Sequence, residues 1–101
     1  MKIRILGHDL QVEFVPRDDP RLDDAWGRLY LDEQLILVAE GLSDSIARET
    51  VFHEVLHAAD FVGSPRPLSE SSVHRISSVM FGTLKDNPEL VAWLFEEDDN
   101  D

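Results

Sequence analysis

From Ser43 to Val62 the chain carries two stripes at helical spacing, and no other segment limits its fold as strongly. Ile46, Val51, Phe52, Val55, Leu56 and Ala59 recur on one side, and Thr50, His53, Glu54, His57 and Asp60 on another. The apolar side needs a core to pack against, while the polar stripe faces something other than that core. Ser43 or Asp44 can cap the start of this helix, and Gly63-Ser64-Pro65-Arg66-Pro67 stops it.

Within the polar stripe, His53-Glu54-Val55-Leu56-His57 reads H-E-x-x-H. Residues four apart share a helix face, so both imidazoles can reach a single Zn²⁺ while Glu54 sits beside the water on the metal. That is the arrangement of a zinc-peptidase active helix. Only four His occur in 101 residues, and Cys is absent, so no thiolate site competes for the ion.

The length allows one small domain, residues 1–95, followed by the acidic tail 96–101, expected to be disordered. A hydrophobic fraction of 43% with 30% charged residues belongs to a folded chain, not a disordered one. The apolar run at the start is too short for a signal peptide, and none approaches the roughly 20 residues that span a bilayer. A cytoplasmic protein without a membrane partner is the expectation. Net charge is −12, five units of it in Glu96-Glu97-Asp98-Asp99-Asn100-Asp101, which argues against nucleic-acid binding through phosphates. Such acidity suits a solvated surface, or a decoy for a basic protein.

Lys2–Leu6 and Leu10–Val15 read as strands around a Gly7-His8-Asp9 turn, in which His8 is a turn residue. Pro16–Asp24 reads as a surface loop. Gly27–Leu31 and Gln34–Val38 are two more strands, the latter apolar enough to be central or packed under a helix. Ser69 can cap a second helix with Val73, Ile76, Met80 and Leu84 inward, and Asn87-Pro88 can cap and start a short third. The expected fold is α+β: a compact domain with a small N-terminal antiparallel sheet of three or four strands, the H-E-x-x-H helix and two further helices.

Two His leave a catalytic zinc short of a protein ligand. Glu70, at a helix start just beyond the Gly63–Pro67 reversal, can supply it; equally, a carboxylate there can simply complement the helix dipole. Asp60 shares the face of His53 and His57. As a third ligand from one straight helix it would be strained, so it reads as an acceptor for an imidazole N–H or a solvated helix-end carboxylate. His74, four residues after Glu70, could ligate, donate to an oxyanion or lie on the surface.

Glu49-Thr50-Val51-Phe52-His53-Glu54-Val55-Leu56-His57-Ala58-Ala59-Asp60, then Leu68-Ser69-Glu70-Ser71-Ser72-Val73 and Leu84-Lys85-Asp86-Asn87-Pro88-Glu89-Leu90, resembles small phage and prophage metallopeptidase-like proteins related to ImmA/IrrE-type peptidases. The likeness covers most of the chain. It implies a zincin-like domain, zinc held by His53, His57 and Glu70, and Glu54 as general base, in a bacterial host cell. The chain is short beside larger peptidases of that type, which carry extra segments for substrate recognition.

The function expected from the sequence is a gluzincin-like zinc metallopeptidase acting on a protein or peptide substrate. An edge strand such as Gln34–Val38 could hold that substrate extended, and Tyr30, Arg75 or His74 could face the oxyanion. The alternative is a zinc-binding regulatory or interaction protein without physiological peptidase activity. Substrate identity and oligomeric state are not encoded legibly.

Overall fold

The computed structural model describes residues 1–97. Strands β1 (Lys2–Ile5) and β2 (His8–Val15) form an antiparallel hairpin. Its turn is Leu6-Gly7, both at positive φ (46° and 85°), the two-residue geometry whose twist matches paired strands. His8 and Asp9 therefore lie in β2 and not in the turn. They face Ile5 and Arg4, and Arg4 pairs with Asp9 at 3.4 Å.

Strands β3 (Gly27–Tyr30) and β4 (Leu35–Ala39) form a second antiparallel hairpin across a 3-10 turn, Leu31–Glu33. The order in the sheet is β1-β2-β4-β3, and β4 runs parallel to β2 from Gln11↔Leu35 to Val15↔Ala39. The α+β class and the strands-then-helices order are as expected, but the sheet is mixed where a wholly antiparallel one was expected. The cause is the loop after Val15: it steps across one strand width before β3 begins, and β4 must return into the gap in the direction of β2. Ile36–Ala39 are all buried, as the apolar run suggests. That interior place removes β4 as a substrate-binding edge; the edges are β1 and β3.

Helix α1 (Asp44–Gly63) begins at Ser43, whose Oγ accepts the Ile46 N–H at 3.3 Å. Its Val51, Val55 and buried Ala58 pack on Leu10, Val12, Ile36 and Val38 of the sheet. The opposite face of the sheet holds Val15, Leu37 and Ala39 under a fully buried Leu22. Leu22 comes from a 3-10 turn, Pro20–Leu22, inside the segment expected to be a surface loop. One apolar side chain thus makes that loop a lid on the sheet.

Helix α2 (Glu70–Asp86) starts at Ser69, whose Oγ accepts the Ser72 N–H at 3.2 Å. It packs mainly on α1, with the Phe52 and Phe81 rings 5.8 Å apart. Of the four residues expected to face inward, Val73 is buried and Leu84 partly so, whereas Ile76 and Met80 are exposed. Ser77 and Phe81 take the inner positions instead. On α1 the buried pair is Glu54 and Ala58, and Ala59 is exposed.

Helix α3 (Pro88–Leu94) follows. Asn87 does not cap it with its side chain; Nδ2 donates to the Thr83 carbonyl at 2.8 Å and so closes the end of α2. Glu96 and Glu97 are exposed, and the rest of the acidic tail lies outside the described residues. No helix among those residues is long and apolar enough to cross a membrane.

Candidate metal centre

Gly27 sets how closely β3 can approach α1. A Cβ built there would lie 2.7 Å from Thr50 Cγ2 and 3.3 Å from Glu54 Cγ, so no side chain fits between strand and helix. Glu54 is held in this contact with only 6% of its surface exposed. Burial pushes its carboxyl up from 4.5 to about 7; His57 and Arg28 pull it down, and Glu70 adds to the rise.

His53 and His57 project from successive turns of α1, and Glu70 reaches them from the first turn of α2. His53 Nε2 is 2.9 Å from Glu70 Oε1, His57 Nε2 is 2.6 Å from Glu70 Oε2, and the two Nε2 atoms are 3.1 Å apart. The three residues form a group whose donor atoms all lie within 4.8 Å of one another, and it can hold a metal ion.

The hydrogen bonds around His53 fit the tautomer protonated at Nδ1. With the Ser77 hydroxyl donating to the His74 carbonyl at 3.1 Å, its oxygen can accept from His53 Nδ1–H at 3.0 Å. His53 Nε2 then carries a lone pair, turned toward a carboxylate oxygen and a second imidazole nitrogen. Such a convergence of lone pairs calls for a shared proton or a cation among them. Ligands on a tetrahedral zinc stand about 3.3 Å apart at Zn–N and Zn–O lengths near 2.0–2.1 Å. Glu70, whose side chain is largely exposed, has the freedom to move the fraction of an ångström that this requires. The donor set fits the ion.

Asp60 lies outside this group and makes no hydrogen bond to a histidine among the described residues. Its Oδ2 accepts the Leu68 N–H at 2.7 Å, which clamps the Ser64–Leu68 reversal that delivers Glu70. His74 stands beside the centre, its ring 5.9 Å from that of His53, but outside the ligand group. Of the three candidates for an oxyanion partner, only His74 lines a cavity at the centre. Tyr30 lies with Leu37 and Leu22 on the far face of the sheet, its hydroxyl donating to the Arg21 carbonyl, and Arg75 is exposed on α2. His8 is an exposed residue of β2.

Ser77 is the functional residue that sequence reasoning missed. A serine four residues before Phe81 and seven after Glu70 falls on the same helix stripe, and that spacing is the signal that could have found it.

Two cavities flank the centre and share Ala25, Gly27, Glu54 and Glu70. One, of about 340 Å³, extends toward the start of α1; the other, of about 540 Å³, extends toward Leu31 and Phe61. Both run beside β3. The Ala39 N–H donates to the Trp26 carbonyl, so by the alternation of an antiparallel ladder Gly27 and Leu29 turn their N–H and C=O to the open edge. Compared with protein-family models, curated proteins and solved structures, the chain matches none.

Proposed function

We propose that this chain is a zinc-dependent, gluzincin-like metallopeptidase, akin to the small phage and prophage proteins related to ImmA/IrrE-type peptidases. The observation that carries the reading is the meeting of His53 Nε2, His57 Nε2 and the Glu70 carboxylate beside a buried Glu54. Two imidazoles and a carboxylate suit zinc, and among the described residues no fourth side chain closes the group. An open position is the mark of a catalytic site more than a structural one. Zinc held there would supply Lewis acidity and an activated water.

The remaining work falls to the chain's own residues. Glu54, buried and with its carboxyl near neutrality, is placed to take a proton as a peptide carbonyl is attacked and to return it to the leaving amine. Ser77 keeps His53 in the tautomer that ligates. The free edge of β3 can hold a substrate main chain extended, the role that interior β4 cannot take. His74 is the side chain nearest to serving a developing oxyanion.

Glu54→Gln separates this reading from its alternative, a zinc-binding regulatory protein without peptidase activity. The alternative draws on α2, which packs mainly on α1 and meets the centre through Glu70 and Ser77. In the peptidase reading, the zinc-loaded variant keeps its metal and cleaves a library of unstructured peptides at least about 100-fold more slowly than wild type. Equal rates, or no cleavage by either protein, would leave the regulatory role standing.

A further inference from the structure

The two cavities beside the centre differ in chemistry. On the Phe61 side the walls include the apolar Leu29, Leu31 and Phe61, with Arg28 and His57 beside them. On the other side Glu49 stands one helical turn before His53 on α1, and Trp26 and Ile46 line the same space. No Lys or Arg lines this second cavity. Glu49 has no ion-pair partner among the described residues, and Trp26 offers an exposed indole. Glu54, more than nine-tenths buried, lines the same cavity and makes no hydrogen bond or ion pair among the described residues.

We infer that the Glu49 cavity is a specificity subsite for a Lys or Arg side chain of a peptide lying along β3, with an apolar residue on the Leu31–Phe61 side. The inference rests on the peptidase reading and names its substrate class. A carboxylate together with an indole face suits a cation on a long aliphatic stem: the stem lies against Ile46 and Trp26 while the charge meets Glu49. A neutral or acidic side chain would leave Glu49 unpaired or facing a like charge. The chain's net charge of −12 adds long-range attraction for cationic peptides.

The test measures binding, so that it does not depend on turnover. End-labelled heptapeptides with Lys, Arg, norleucine or Glu scanned through a Leu/Ala background are titrated by fluorescence anisotropy into the zinc-loaded Glu54→Gln chain. At one position Lys and Arg peptides bind about tenfold more tightly than norleucine peptides, and Glu peptides bind weakest. Glu49→Gln removes most of that preference and leaves norleucine peptides unchanged, while Glu49→Lys turns it toward Glu. Equal affinity for Lys and norleucine at every position overturns the subsite alone, as does a preference that survives in Glu49→Gln. Absence of binding by every peptide overturns the peptidase reading and the subsite with it.

Discussion

The sheet with α1 and the pair α2–α3 are built by different means. Nearly all fully buried apolar residues belong to the first region, in two layers about the sheet, whereas α2 contributes Val73 and α3 none. The buried polar residues, Glu54 and Ser77, both lie where the regions meet. Beyond them Ile76, Val79, Met80, Leu90, Trp93 and Phe95 are exposed, Phe95 to 77%. The first region is held by burial, the second by a few specific contacts: Phe52 on Phe81, Asp60 on Leu68, and the histidines with Glu70 and Ser77. A helix attached through a ligand cluster can be sensitive to metal in a way that the sheet is not.

Core truncation should give the widest contrast. Ile36→Ala removes a fully buried side chain from the central strand and should cost about 2–5 kcal/mol in urea unfolding, against about 0.5 kcal/mol for Met80→Ala. Comparable losses would mean that the outer face of α2 is covered in solution and that the two regions do not differ as described.

Acidity offers a second way to sharpen the comparison, through Glu54 at the junction. In the metal-free chain its folded pKa of about 7 lies above the ordinary value of 4.5. Between these values the folded state binds more protons than the unfolded state, so stability falls as pH rises from 4.5 through 7 and levels off above. The fall attributable to this group is about 3 kcal/mol. Unfolding of wild type and Glu54→Gln in chelator across that range measures it as their difference. Parallel curves would show that burial does not burden this carboxylate.

A smaller effect is expected at Ser77. Ser77→Ala releases His53 from its orienting bond and should weaken zinc affinity by about 10–100-fold in a competition titration with a chelating dye, leaving the sheet intact. Unchanged affinity would reduce the bond to a packing contact.

The sequence was most legible where local chemistry decides. Ser43 and Ser69 mark helix starts, Gly63–Pro67 marks a reversal, and the H-E-x-x-H spacing places His53, His57 and Glu54 on one stripe. It was least legible where distant elements decide. The direction of β4 depends on how the chain crosses the sheet after Val15, which no local residue records. The facing of α2 does not follow its apolar stripe: the inner positions take Ser77, which bonds His53, and leave Ile76 and Met80 outside. Asp60, whose sequence position suits either an acceptor for an imidazole N–H or a solvated helix-end carboxylate, takes as its partner a backbone N–H eight residues on. Tyr30 illustrates the period of two in a strand: one position from Leu29, it points to the other face of the sheet.

Elemental mass spectrometry on protein purified without an affinity metal tests the central claim most directly, comparing wild type with His53→Ala, Glu70→Ala and Asp60→Asn. About one zinc per chain is expected in wild type and in Asp60→Asn, with loss or sharp weakening in His53→Ala and Glu70→Ala. A folded wild type that carries no zinc and takes none up on titration would contradict the account.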